Sequence, residues 1–393
     1  MAIIMKNKKQ IREKALFEEA CRESIISLRA SPLRSGRYLN VNGKKYVDFT
    51  TASYLGLDCD KSILKSVLSI LESCGIGRCS SPLYAAPKQY QTIEKKIREI
   101  TGIPQVFLFN STSMANMAAI KYGLPHKFSI FVDEYCHRSV VEAFMLRNRP
   151  VCRYPHLDLS ALRSAMERTP SDVQSIVITD GVFSMSGETA SIPELLEITR
   201  MRNGYLIVDD AHGFGIYGNN GEGVLHELPD DAKKRVIYIG SLTKALSGFG
   251  GFIACSEKIG ERIKLLSPQY GFSCSIPLIY AASSAYACSI LGSSKWKGLV
   301  EKLKENWENL NYHLGEIGVS LLGRFSPIAV IQISQEKKMR QTCLALNNQR
   351  IAFNPVSFPA IKRGDFRLRF CLSAVHSFED MDKLISILKK VLI

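Results

Sequence analysis

A chain of 393 residues, 46% of them hydrophobic, can bury a large core and divide into two or more domains. Its eleven cysteines form neither a C-x-x-C pair nor a His/Cys cluster, which argues against a zinc site or a disulfide framework and suits a reducing compartment. The net charge of +14 is uneven, with eleven Lys and Arg against four Glu in residues 1–47. No nucleic-acid motif accompanies that charge, so it reads as a solvated basic helix or as an aid to capturing a phosphate-rich substrate such as coenzyme A.

No apolar run approaches the roughly 18–20 residues of a membrane span. The start, MAIIMKNKKQ, lacks a signal-peptide apolar region, so a cytoplasmic protein with no membrane span and no nucleic-acid partner is expected. In chain order, residues 6–30 carry an amphipathic helical pattern, and RYLNVNGKKYVDFTT reads as a hairpin turning at Asn42-Gly43. SYLGL (53–57) follows, then CGIGRCSSPLYAAPKQYQTIEKKI (74–97), a Gly/Ser-rich loop leading into a helix. Cys74 and Cys79 in that loop read as buried, inert thiols. VFLF (106–109) is a buried strand, and Ser111, Thr112 and Ser113 open the helix NSTSMANMAAIKYG, where free N–H groups favour an anion. SIFVDE (129–134) is the next strand, with His137 at the start of another helix.

Three further apolar runs, SIVIT (175–179), YLIV (205–208) and VIYIG (236–240), read as buried parallel strands, and PELLEITRMRNG is the crossover helix between the first two. From about Pro277 long helical patterns give way to strand AVIQIS (329–334), a helix over 336–347, the segment RIAFNPVSFPAI, strand FRLRFCLSA (366–374) and a closing helix. The division expected is a 1–45 helical and hairpin segment, a large domain over 46–280 and a small α+β domain over 281–393.

Polar groups cluster where three strands end: Ser184 after the first run, Asp209 and His212 after the second, Lys244 after the third. Ligands of open α/β sheets sit outside the carboxyl ends of strands, so these four side chains are expected at one pocket. An acid, an imidazole, a hydroxyl and a lysine together fit pyridoxal phosphate. The acid keeps the pyridine nitrogen protonated, His212 and Ser184 meet the ring hydroxyl, and Lys244 supplies the amine for a Schiff base. The glycines of HGFGIYG also match G-x-G-x-x-G, but the following NNGEG is not helical and no acidic residue ends a second strand about 20 residues on, so a dinucleotide site is not expected.

TDGVFSMSGE (179–188), YLIVDDAHGFGIYG (205–218) and YIGSLTKALSGFGG (238–251) resemble, in order and spacing, the motifs of the α-oxoamine synthases. These are the acyl-CoA-dependent branch of fold-type I pyridoxal-phosphate enzymes. The resemblance runs over roughly 45–392. It implies an α/β fold with a mostly parallel central sheet flanked by helices, and a homodimer with shared sites. It places the cofactor phosphate at Ser111, Thr112, Ser113 and Ser241, with Ser273 of GFSCSIP reaching the neighbouring subunit's phosphate site. His137 matches the histidine that stacks on the cofactor ring, and Arg369 of RLRFCLSAVH matches the arginine that pairs with the substrate carboxylate. No metal is implied.

Two segments depart from the family pattern. The asparagine that shares the amino-acid carboxylate is Ala52 here, and Tyr90 stands near a usual histidine of the 74–97 loop.

The reaction implied is condensation of an amino acid with an acyl thioester, with decarboxylation, by Lys244, His137 and Asp209. NPVSFPAI resembles the serine palmitoyltransferase branch, the compact length resembles 8-amino-7-oxononanoate synthase, and TDGVFSM resembles 2-amino-3-ketobutyrate CoA ligase. Aminotransferase chemistry on the same fold is one alternative. A non-catalytic partner subunit is another, although such subunits typically lose the lysine that this chain keeps.

Overall fold

The computed structural model describes residues 33–75, 80–124, 128–145, 151–170, 173–358 and 360–393. The helix expected over 6–30 lies outside them, as does Cys79. Contacts divide the chain into two units. One holds the described residues through Thr51 with Met185–Gly187 and Glu305–Ile393; the other holds Ala52–Ser184 and Glu188–Lys304.

Fourteen strands form three sheets among the described residues. The chain opens with β1 (Leu33–Ser35), β2 (Tyr38–Val41) and β3 (Lys44–Asp48). Then come β4 (Gln105–Phe109), β5 (Ser129–Asp133), β6 (Cys152–Tyr154), β7 (Ser175–Asp180), β8 (Tyr205–Asp209), β9 (Val236–Ser241) and β10 (Gly251–Cys255). The last four are β11 (Ile328–Ile333), β12 (Ile351–Ala352), β13 (Asn354–Val356) and β14 (Phe366–Cys371).

The larger unit is built on seven strands in the order β4-β10-β9-β8-β7-β5-β6. Strands β9, β8, β7, β5 and β6 run parallel, while β10 is antiparallel to both β9 and β4. Every residue of β7, β9 and β10 is buried. That is why β7 and β9 read as unbroken apolar runs rather than alternating ones: both faces of the sheet are covered. One face packs Ile176, Ile178, Ile207, Ile237 and Ile253 with Ala115, Ala118 and Val140 of the flanking helices.

The expected crossover helix is present at Ile192–Arg200, with a proline in its first turn and Leu195, Leu196 and Ile198 buried. Its return to β8 needs Gly204, since a Cβ there would lie 2.0 Å from the Ser175 carbonyl oxygen. Because the parallel strands all point the same way, the side chains that follow them gather at one edge of the sheet.

In the smaller unit β1, β2 and β3 form an antiparallel meander joined by β12. Asn42 and Gly43 take φ of 51° and 76° at its tip, as the hairpin reading requires. A second sheet, β11-β14-β13, is antiparallel throughout. The helices Glu336–Asn348 and Phe378–Leu392 complete an α+β unit, the latter closed by a Ser377–Asp380 capping box.

Candidate active site

Strand ends position the site. Asp180 closes β7 and Asp209 closes β8, and the two pair in register. His212 lies three residues beyond Asp209, Lys244 three beyond Ser241 at the end of β9, and His137 four beyond Asp133 at the end of β5. His137, Ser184, Asp209, His212 and Lys244 line one cavity with Thr112, Ser113, Ser139, Asp180 and Ala211, with an empty volume of about 290 Å³. The structure therefore brings together seven of the side chains singled out from the sequence.

Asp209, His137 and His212 are held by neighbours the sequence does not advertise. The Asn116 amide, wholly buried in the helix Thr112–Ala118, donates to Asp209 Oδ2 at 2.6 Å, and the Ala211 backbone N–H donates to Oδ1 at 3.2 Å. Asn116 Nδ2 also donates to Ser139 Oγ at 2.9 Å, and Ser139 Oγ lies 2.8 Å from His137 Nδ1. His212 is buried, its Nδ1 2.6 Å from the hydroxyl of fully buried Tyr54. Asp180 receives the His137 backbone N–H, at 3.2 Å to each oxygen. Burial pushes Asp180 well above the carboxylate range and the Asp209 charge pushes it further, so its protonated form is favoured.

Asp210, the second acid of the DD pair, turns into the protein. Tyr238 Oη donates to it at 2.7 Å and the Val224 N–H at 2.9 Å. Burial raises Asp210 to about 7 despite these bonds. Gly213 presses against it, since a Cβ there would lie 2.2 Å from Asp210 Oδ1. Gly215 and Gly218 take φ of 81° and 82°, and the segment that follows them is the 3₁₀ turn Gly223–Glu227 rather than the helix a dinucleotide fingerprint needs.

Other sequence candidates lie outside the cavity lining. Ser111 caps its helix, accepting from the Met114 N–H at 3.1 Å. Ser241 is buried and accepts from the Thr243 N–H at 3.2 Å. Ser273 accepts from Asn110 Nδ2 of its own chain at 3.2 Å. Arg369 sits on β14 of the smaller unit, its Nη1 3.1 Å from Cys371 Sγ. Tyr90 is buried and accepts the Ile276 N–H at 2.6 Å, so it braces the segment carrying Ser273.

Two cysteine expectations need correction. Cys74 is exposed rather than buried, because it ends a helix whose apolar residues mostly face outward. Cys274 is disulfide-bonded, although the spacing of the cysteines suggested thiols throughout.

A sheet of this topology, with a lysine, an acid and two histidines at its strand ends, defines a fold-type I pyridoxal-phosphate transferase. Residues 78–388 match the aminotransferase class I and II family, and the chain belongs to that family. Over 93% of its length it is 29% identical to an 8-amino-7-oxononanoate synthase from Petrotoga mobilis, of which 93% is covered. It is also 29% identical to a serine palmitoyltransferase from Sphingobacterium spiritivorum, over 89% of this chain and 88% of that one. The fold is shared with a solved Sphingomonas wittichii serine palmitoyltransferase at a TM-score of 0.87 and 21% identity, covering 99% of this chain and 96% of the other.

The donor set fits the cofactor of the family. Two carboxyl groups, two imidazoles, hydroxyls and one amine border a single cavity. Beside it, a Cβ on Gly251 would lie 2.7 Å from the backbone of Thr112, so the absence of a side chain there lets β10 approach the helix start. Among the described residues no group of His, Cys, Asp and Glu could hold a metal ion, and no helix is long and apolar enough to cross a membrane.

Proposed function

We propose that this chain is a pyridoxal-phosphate-dependent C-acyltransferase that condenses an amino acid with an acyl thioester, with decarboxylation, in the manner of 8-amino-7-oxononanoate synthase or serine palmitoyltransferase. The observation that carries the reading is the convergence of Lys244, Asp209, His212, His137 and Ser184 on one cavity. When bound, pyridoxal phosphate supplies a carbonyl that takes up amines and a protonated pyridine that stabilises negative charge at an amino acid's Cα.

The residues divide the work by their chemistry. Lys244 holds the cofactor through its amine and afterwards moves the Cα proton. Asp209, fixed by two N–H donors, holds a proton on the ring nitrogen. His212, steadied by Tyr54, takes the ring hydroxyl with Ser184. Ser111, Thr112, Ser113 and Ser241 take the phosphate, and His137 contacts the ring. Arg369 takes the substrate carboxylate, a role that rests on the RLRFCLSAVH motif alone. The protein acts as a homodimer, Ser273 serving the site of the second copy; the GFSCSIP motif supports this.

A coupled assay tests the reaction. Protein loaded with pyridoxal phosphate is given glycine, alanine or serine with acyl-CoA of varied chain length, and free thiol and carbon dioxide are followed. Equal release of thiol and carbon dioxide is expected with one amino acid. Conversion of the amino acid to a keto acid without thiol release would establish the aminotransferase alternative instead.

A further inference from the structure

The cavity wall contains a hydrogen-bonded chain that no sequence motif singles out: Asp209, Asn116, Ser139, His137. We propose that Asn116 and Ser139 are positioning residues that tie Asp209 and His137 into one unit and hold the neutral His137 ring with its proton on Nε2. The inference rests on the reading above for the roles of Asp209 and His137, and on the geometry for everything else.

The direction of each bond follows from donor and acceptor chemistry. Asn116 offers two protons on Nδ2, and two acceptors meet them: Asp209 Oδ2 at 2.6 Å and Ser139 Oγ at 2.9 Å. Turned the other way, the amide oxygen would face a carboxylate oxygen at the same short distance, so the nitrogen belongs there. Ser139 Oγ, having accepted from Asn116, has one proton to give, and His137 Nδ1 lies 2.8 Å away. The backbone N–H of Ser139 points at the same Nδ1 at 3.3 Å, and an N–H can only donate. Two donors on Nδ1 make it an acceptor. The ring's remaining nitrogen, Nε2, is then a donor, which suits the carboxylate oxygen of an amino acid.

Asn116 is a costly residue for mere filling. It is fully buried, and its Oδ1 has no hydrogen-bond partner. A buried unsatisfied oxygen is destabilising, and an apolar side chain of similar size would avoid it. The two bonds made by Nδ2 account for an amide at this position.

The test reads the imidazole directly. Full-length protein labelled with nitrogen-15 in its histidines, and without added cofactor, is examined by NMR at a pH where the ring is neutral; a His137→Gln variant identifies the signal. The wild type should show His137 as one tautomer, protonated on Nε2. Ser139→Ala leaves only the longer backbone N–H on Nδ1 and should move the His137 Nδ1 signal, and Ser139→Thr, which keeps the hydroxyl, should restore it. In the loaded enzyme Asn116→Ala should lower kcat about tenfold with KM for the acyl thioester unchanged. The double variant Asn116→Ala/Ser139→Ala should be no worse than Asn116→Ala, as expected for parts of one chain. His137 protonated on Nδ1 in the wild type, or an unaltered His137 signal in Ser139→Ala, would overturn the proposal. These signals do not depend on acyl transfer, so a failed thiol-release assay would leave this result standing, and the reverse also holds.

Discussion

At the end of β5, Asp133 accepts the Tyr135 N–H at 2.8 Å through Oδ1 and the Leu157 N–H at 2.8 Å through Oδ2. His156 lies between Asp133, at 2.9 Å, and Glu188, at 3.2 Å, with its ring stacked on Tyr135 at 4.3 Å. One and two strands along the sheet, Asp180 and Asp209 also stand among histidines; the neutral amide of Asn116 donates to Asp209, and the His137 backbone N–H to Asp180. The same ingredients give opposite electrostatics. Burial pulls His156 down, but hydrogen bonds to Asp133 and Glu188 outweigh it and raise the imidazole to about 9. Burial and Asp209 raise Asp180 instead. The first cluster satisfies its own charge and serves the fold. The second faces a cavity it shares with Lys244, and two acids at one cavity suit a site that receives a protonated ring.

The comparison fails if the two clusters respond alike to substitution. Asp209→Asn has the largest expected effect: turnover falls at least a hundredfold, on the order of 3 kcal/mol in the barrier, because an amide cannot hold the pyridinium proton. Its thermal unfolding should stay close to wild type. A steady-state assay beside a melting curve checks both halves.

His156→Gln should show the reverse, with stability lowered by on the order of 2–3 kcal/mol at pH 7 and turnover of the folded enzyme near wild type. The sign with pH follows from the raised imidazole. Its contribution is complete below about 6.5 and is lost as pH rises through about 9. The gap in melting temperature between wild type and variant should therefore narrow across that window.

Asp180→Asn sharpens the contrast. A raised carboxyl contributes stability below its unfolded value and loses it as pH rises. The variant should gain stability relative to wild type as pH rises from about 4, the unfolded carboxylate value, toward neutral. Melting curves across that range test it, and a variant that loses ground as pH rises would show the acid to be paired. The smallest expected effect is at Leu157, a non-glycine residue at φ 57° beside the His156 cluster. Leu157→Gly should raise stability by about 0.5–1 kcal/mol by relieving left-handed strain, measured by urea denaturation.

Much of this was legible in the sequence because the larger unit's sheet is covered on both faces. Runs such as SIVIT and VIYIG announce buried strands, and polar residues placed directly after them announce the site. What escaped has physical reasons. β6 and β10 are short or follow a turn, and they take their strand character from neighbours already in the sheet. Asn116 looks like an ordinary helix residue, and Ser139 like a residue of a helix's first turn. Tyr54 meets His212 across 158 residues of chain. Asp180 stood inside a quoted motif, but only its register beside Asp209 shows that it shares the cavity. Side chains that support other side chains leave little trace in local pattern.

The central claim is that Lys244 is the amine that holds pyridoxal phosphate in this cavity. Protein loaded with the cofactor is reduced with borohydride and digested, and the modified peptide is mapped by mass spectrometry. The account predicts a single cofactor-bearing peptide, modified at Lys244 and absent in Lys244→Ala. Recovery of the cofactor on any other lysine, or equal labelling of the Lys244→Ala variant, would contradict it.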